Sequence, residues 1–199
     1  MRDRVAAAAA GAAAWSAYLR GDATRAREEA IRATRLDPDT GEYWYTLGCI
    51  RDMLQDEVGA DRAFARAAAA RRHACPAPCR IDADRFAALA REALTGLPPA
   101  LQPAVRDVDL IVMDHPTPDL IDQDGTEELL GLFVGHPLGD GIAWGEPELS
   151  PRLYLFRRAH EHACSDPAAI RHELRITAIH ELGHYLGLDE DDLADMGLA

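Results

Sequence analysis

Residues 180–190 read HELGHYLGLDE, and this stretch decides how the second half of the chain folds and what it can bind. Two histidines four positions apart on a helix project from the same face, so the imidazoles of His180 and His184 can reach one metal ion. Glu181 is rotated about 100° from His180, which makes it a poor ligand but places it to hydrogen-bond a water on that metal. The spacing therefore predicts a zinc site with Glu181 as general base and a third protein ligand from elsewhere.

The histidines lie on a long helix that the sequence delimits at both ends. Proline at the first helical position, Pro167, preceded by Ser165 or Asp166 as the capping side chain, is a typical start, and Gly187 is a natural stop. The helix is therefore expected to span about 20 residues, roughly 30 Å. Its apolar residues are spread over a wide arc, which predicts that it is mostly buried: Ile170, Leu174, Ile176, Ile179, Leu182 and Leu186.

Acidic residues follow this helix directly. The glycine at position 187 allows a sharp turn, so the next residues can fold back towards the histidines. Glu190, six positions after His184, is a candidate third ligand. The acidic run 189–192 can also be a solvated helix start, and the two interpretations are compatible.

The middle of the chain combines a helix, short apolar runs and polar loops. Residues 82–95 are predicted to form a helix that Gly96 ends. Three apolar runs of strand length follow, separated by Gly- and Pro-rich loops: 108–113, 129–134 and 153–156. His160 and His162 alternate on what is expected to be an extended or loop segment, where they have a surface role. Strands followed by a buried helix predict an α+β layer arrangement.

Residues 5–72 are predicted to form four amphipathic helices in two hairpins. A period of 34 residues relates two sets of three positions: Ala26, Ala30 and Ala33, and Ala60, Phe64 and Ala67. Together with Trp44, Leu47 and Gly48, this pattern resembles the tetratricopeptide repeat, in which small residues such as Gly48 lie where paired helices approach closely. Two units are fewer than a free-standing solenoid needs, so we expect either a docking surface for a protein partner or a structural cap on the next domain.

A proline-rich break separates the helical region from the rest of the chain. The stretch 74–81 contains two closely spaced prolines and is expected to be a linker between a helical domain at 1–73 and a second domain at 82–199. Cys75 and Cys79 lack the spacing and the fourth ligand of a metal site. They are therefore interpreted as incidental thiols.

The composition narrows the class of protein. The chain has 199 residues, a formal net charge of −13 at pH 7 and a pI near 4.9, which argues against a nucleic-acid-binding surface. No apolar run approaches the roughly 18 residues that span a membrane, and the Ala-rich residues 2–14 are interpreted as a mature helix rather than a signal peptide. Four cysteines do not make a disulfide framework, so a reducing, cytoplasmic compartment is expected.

Residues 180–190 also follow the pattern H-E-x-x-H-x-x-G-x-x-D/H except at its last position, where Glu190 stands. Other stretches extend the likeness: GLFVGHPL at 131–138, LYLFRR at 153–158, and a helix running into Leu-Pro-Pro at 86–99. Together these stretches resemble the small bacterial minimal zincin metallopeptidases. The resemblance implies a small zincin-like domain with a mixed sheet and an active-site helix close to the C-terminus.

The resemblance also implies roles for particular residues. His180 and His184 are zinc ligands, Glu181 is the general base, and position 190 supplies the third ligand. The family usually has Asp at that position. Glu190 carries one more methylene and can still coordinate zinc at about 2.0–2.2 Å, and Asp189 is the alternative.

A peptide or protein substrate is implied, held as an extended strand along a sheet edge for which residues 153–156 are the candidate. Tyr154 and Tyr185 are candidate donors to an oxyanion. The class of function implied is therefore a zinc metallopeptidase. The alternative is a scaffold in which zinc is structural and the repeats engage a protein partner. A third possibility is a protease that stays latent until a partner docks on the repeats.

Overall fold

The structure is a computed structural model that describes residues 2–97, 102–106, 108–117, 120, 129–135, 150–188 and 191. The chain divides into two compact units, Met1–Pro78 and Cys79–Ala199. The division falls within the stretch that the sequence predicts as a linker. None of the helices within the described residues combines the length and the apolar character that a membrane-spanning helix needs.

The described part of the first unit is helical: α1 (Arg2–Leu19), α2 (Ala23–Leu36), α3 (Gly41–Met53) and α4 (Glu57–Ala68). The side chain of Asp22 caps α2 by accepting a hydrogen bond from the Arg25 N–H. Asp56 caps α4 in the same way, with the Gly59 N–H as donor. The prediction of helices at the N-terminus is confirmed, whereas their assignment to the tetratricopeptide repeat stays a prediction.

Within this unit, Gly48 on α3 lies against the ring of Phe64 on α4. A Cβ added to Gly48 would overlap that ring, and Phe64 is only 1% exposed. The missing side chain therefore lets the phenyl ring pack directly on the backbone of α3.

The second unit contains the remaining elements: α5 (Ala83–Thr95), α6 (Gln102–Val105), β1 (Asp109–Met113), β2 (Gly131–Val134), β3 (Arg152–Phe156), α7 (Arg157–Ala163) and α8 (Pro167–Tyr185). The three strands form one sheet in the order β1-β3-β2. β1 runs parallel to β3, and β2 runs antiparallel to it. The predicted α+β class, with a mixed sheet and a C-terminal helix, is confirmed.

β3 is the central strand of this sheet. Leu153 lies opposite Leu110 on one side and Phe133 on the other. The prediction that residues 153–156 offer a free edge to a substrate is therefore wrong. The physical reason is that four consecutive residues of β3 are buried, and continuous burial is typical of a strand with neighbours on all sides.

The core of the second unit lies between this sheet and the helices α5 and α8. Its residues that are at most 2% exposed come from three elements: Phe86, Leu89 and Ala90 of α5, Leu153 and Leu155 of β3, and Ile170, Leu174, Ala178 and Leu182 of α8. The predicted burial of the histidine-bearing helix holds for most of its apolar residues. Ile176 and Leu186 are only half-buried.

α7 replaces the extended or loop segment that was expected around residue 160. His160 is 0% exposed, so the prediction of a surface role is wrong for it. Its Nδ1 lies 2.9 Å from the carbonyl oxygen of Phe156, and its ring meets that of Phe86 edge-on at 5.3 Å between centroids. α7 has only seven residues and three of them are charged, which leaves no apolar periodicity to predict it.

We expect the Gly48→Ala substitution to lower the free energy of unfolding by about 1–3 kcal/mol, because the new methyl group would overlap the buried ring of Phe64. At other positions in a helix, Gly→Ala usually stabilises the protein by up to about 1 kcal/mol. A destabilising effect at position 48 would therefore indicate the overlap with Phe64. Urea denaturation followed by circular dichroism measures it. The loss should shrink in a Phe64→Ala background, and an equal loss there would contradict the proposed contact.

Burial lowers the pKa of His160 below its ordinary value, because desolvation disfavours the charged imidazolium. The unfolded chain, whose histidine pKa is about 6.5, therefore takes up the proton first as the pH falls. Stability should be unaffected by this group above pH 6.5 and should decrease below it. Thermal melts between pH 7 and 5 should show a smaller decrease in melting temperature for His160→Gln than for wild type. An equal decrease in both proteins would contradict this role of His160.

Candidate metal centre

The helix that carries the histidines is defined by its ends. The Asp166 side chain accepts hydrogen bonds from the backbone N–H groups of Ala168 and Ala169 in the first turn. These bonds, that of Ala169 most strongly, lower the pKa of the Asp166 carboxyl. The helix ends at Tyr185, two residues before the predicted stop. Gly187 then takes a φ of +80°, a conformation that favours glycine and turns the chain.

His180 and His184 face one another at the C-terminal end of α8. Their Nε2 atoms are 3.1 Å apart, and the ring planes are nearly perpendicular, at 89°. Two nitrogens bound tetrahedrally to one zinc at about 2.0–2.1 Å would lie about 3.3 Å apart. The separation of the two imidazoles therefore fits shared coordination of one zinc ion.

The backbone beyond α8 fixes the orientation of the second imidazole. The Nδ1 of His184 lies 3.2 Å from the carbonyl oxygen of Leu188. A carbonyl oxygen only accepts hydrogen bonds, so Nδ1 carries the proton and the Nε2 of a neutral ring presents its lone pair. This is the arrangement that a metal-binding histidine needs.

Glu181 lies between the histidines in sequence and reaches β2 in space. Its Oε2 accepts a hydrogen bond of 2.8 Å from the backbone N–H of Phe133. The predicted general base belongs to the helix that carries the histidines, and this bond also attaches it to the sheet. The sequence predicts the residue but not this partner, which is 48 positions away.

Gly131 allows α8 to approach β2 closely enough for this bond. A Cβ at position 131 would lie 2.5 Å from the Cγ2 of Thr177, 3.2 Å from the carbonyl oxygen of Tyr154 and 3.3 Å from the Cγ of Glu181. Only a residue without a side chain fits between the helix and the central strand. The Gly-Leu-Phe stretch therefore has a steric role in the site.

The predicted third ligand, Glu190, and its alternative, Asp189, both lie outside the described residues. Across the described ranges, no group of three or more His, Cys, Asp or Glu side chains could hold a metal ion. The structure thus brings together His180 and His184, and the third ligand stays a prediction.

The two candidate oxyanion donors occupy different surroundings. Tyr185 is 5% exposed, and its ring lies 4.8 Å from that of Phe133, between centroids. Tyr154 is 8% exposed and stacks on Phe156 at a centroid distance of 6.5 Å. Both rings are packed against a neighbouring phenylalanine, and a donor role for either stays a prediction.

A buried ion network, which the sequence analysis does not predict, holds α7 in place. Glu161 is 0% exposed and accepts hydrogen bonds from Arg80 and Arg158 at 2.8 Å each and from Arg157 at 3.3 Å. Arg157 also donates to Asp114 at 2.8 Å, which lowers the pKa of that carboxyl. The i,i+3 and i,i+4 spacing of the arginines and Glu161 was the available signal. The network fixes the segment that joins β3 to α8.

The four cysteines all lie within the described residues, and none of them forms a disulfide bond. The Sγ of Cys75 donates to the carbonyl of His73 at 3.4 Å. Burial raises the pKa of both Cys75 and Cys79. Raised values keep the two thiols protonated, which is unfavourable for metal binding.

The family model of the zincin-like metallopeptidases matches residues 105–198. The matched range starts at the last residue of α6 and includes β1, β2, β3, α7 and α8, and therefore both histidines and Glu181. A comparison with curated proteins found no match. The likeness to a metallopeptidase family thus covers the sheet and the candidate metal centre together.

We expect Gly131→Ala to lower the melting temperature and to weaken metal binding, because its Cβ would push Thr177 and Glu181 away from β2. Overpacking of this kind typically costs about 1–3 kcal/mol. Thermal melts and zinc titration measure the two effects. Adding Thr177→Ser, which removes the Cγ2 atom, should recover part of the stability. No recovery would contradict the contact with α8 as the cause.

Proposed function

We propose that the chain is a zinc-dependent metallopeptidase that hydrolyses peptide bonds. The carrying observation is the approach of the His180 and His184 Nε2 atoms to 3.1 Å, in a range that the zincin-like family model matches. The proposed zinc ligands are His180, His184 and Glu190, with Asp189 as the alternative to Glu190. Glu181 is the proposed general base.

The donor types fit this role. Two imidazole nitrogens and one carboxylate are a common ligand set of catalytic zinc, which keeps one coordination position open. When bound, zinc supplies Lewis-acid chemistry: it polarises a carbonyl and lowers the pKa of a water molecule towards about 7. The Glu181 carboxylate accepts the proton of the attacking water and delivers it to the leaving amine.

We place the substrate along the outer edge of β2, as an extended strand. In the sheet formed by the described residues, β2 has β3 on one side only. Phe133 of this strand contacts Glu181 directly, so a peptide on this edge would pass beside the general base. Addition of a peptide strand to a sheet edge is a common mode of peptide recognition, in which backbone hydrogen bonds supply the affinity.

We further propose that residues 1–73 form a tetratricopeptide-like domain that binds a protein partner, and that 74–81 link it to a catalytic domain at 82–199. The 34-residue period and the packing of Phe64 on Gly48 support this assignment. A structural cap is the alternative role. The cytoplasmic location inferred from the cysteine content stays a prediction.

Metal analysis and a cleavage assay on matched variants test the catalytic proposal. We expect wild type to bind about one zinc per chain and to cleave an unfolded protein such as casein. His180→Ala and Glu190→Ala should lose zinc, because each removes a ligand. Glu181→Gln should keep zinc while the cleavage rate falls by about 10²–10⁴-fold, because the amide cannot accept the proton.

Glu173→Gln is the matched control, since it neutralises a glutamate on the same helix about two turns earlier. It should leave both zinc content and cleavage unchanged. Equal zinc in wild type and His180→Ala would refute the metal site. Bound zinc without cleavage, together with melting on metal removal, would instead support the scaffold with structural zinc.

A further inference from the structure

The backbone groups of β2 point alternately towards β3 and away from it. The N–H of Phe156 donates to the carbonyl of Leu130 at 2.9 Å, which makes these residues a hydrogen-bonded pair of the antiparallel ladder. Such pairs alternate with non-hydrogen-bonded ones, so Phe133, which lies opposite Leu153, belongs to the second kind. The N–H and the carbonyl of Phe133 therefore point to the outer edge of β2.

The Glu181 carboxylate accepts a hydrogen bond from this outward-pointing N–H. The distance of 2.8 Å between Phe133 N and Glu181 Oε2 is typical of a charge-assisted hydrogen bond. Glu181 can lie against β2 because Gly131 has no side chain to hold it off. The proposed general base thus covers part of the edge on which we place the substrate.

An extended peptide that adds to this edge needs the same donor. In an antiparallel addition, the peptide residue opposite Phe133 would accept a hydrogen bond from its N–H and donate one to its carbonyl. The backbone N–H carries a single hydrogen, so the peptide carbonyl and the Glu181 carboxylate compete for it.

We propose that the Phe133 N–H is a shared donor that couples substrate binding to the position of the general base. Before binding, it holds Glu181 against β2. An extended segment that pairs with β2 then takes over the donor and releases the carboxylate from the strand, beside His180. The inference rests on the proposed function for the chemical role of Glu181, whereas the competition itself needs no metal. The proposal implies that the substrate is a chain segment whose backbone is extended and not already paired.

Phe133 is a positioning residue in this scheme and acts through its backbone N–H, which a side-chain substitution does not remove. The test therefore removes the Glu181 carboxylate, with which the peptide competes for that N–H. Glu181→Ala removes the carboxylate, and Glu181→Gln keeps an acceptor without the charge. Glu173→Ala is the matched control, because it removes a carboxylate from the same helix.

The probe is reduced, carboxymethylated casein, an unfolded chain. The dissociation constant for casein is measured for full-length wild type in the presence of a zinc chelator, so that casein is not hydrolysed. The same constant is measured for the variants with and without the chelator. Loss of a charge-assisted competitor predicts that Glu181→Ala binds casein about tenfold or more tightly than wild type, with Glu181→Gln in between. Glu173→Ala should match wild type. By NMR, the Phe133 amide should exchange faster in Glu181→Ala than in wild type, and casein should slow it again.

Equal dissociation constants for wild type and Glu181→Ala would overturn the proposal. Failure of Glu181→Ala to bind casein would also overturn it, as would binding that leaves exchange of the Phe133 amide unchanged. If Glu181→Ala does not fold, the same comparison is made with Glu181→Gln, for which a smaller gain in affinity is expected. Wild type that binds zinc but does not cleave casein leaves these results unaffected, so the shared donor and the proposed function fail separately.

Discussion

The candidate site depends on one steric constraint, the absence of a side chain where β2 meets α8. Gly131 lies opposite Leu155 on the central strand, and the space that its Cβ would fill is taken by Thr177 and Glu181. These two residues are four positions apart and therefore lie on one face of the helix. The contact at Gly131 thus fixes how α8 is rotated about its own axis.

That rotation determines where His180 and His184 face. Each residue turns the helix by about 100°, so His180 and His184 lie next to the face that carries Thr177 and Glu181. Leu174 and its buried neighbours occupy the other flank and fill the core. The histidines are half-buried, on the flank of the helix away from this apolar packing. The arrangement of the two imidazoles is thus set by packing at some distance from them.

Local signals account for the parts of the fold and site that the sequence predicts. The Asp166–Pro167 start of α8 depends on neighbouring residues alone, and so does the pairing of His180 with His184 at one helical turn. The strand-length apolar runs are local in the same sense. Each of these features can be predicted because the residues that produce it are within a few positions of each other.

The features that sequence analysis missed depend on partners far away along the chain. Strand order is set by pairings such as Asp109 with Arg152, and nothing within residues 153–156 indicates that both sides are occupied except their continuous apolar character. α7 is stabilised by Glu161, whose partner Arg80 is 81 positions away. A buried carboxylate is tolerated only when it is paired, and the pairing exists only in the fold.

The proposed pairing of a peptide with β2 also bears on which peptides the chain would select. If a peptide pairs with β2 as proposed, its hydrogen bonds to Phe133 would involve only its backbone, so discrimination among peptides would come mainly from their side chains. On an added strand, successive side chains point to opposite faces of the sheet. One of these faces carries the ring of Phe133, which packs against Tyr185 of α8. Side chains on that face would meet the helix that bears the histidines, so selectivity should be concentrated at alternate positions of the substrate.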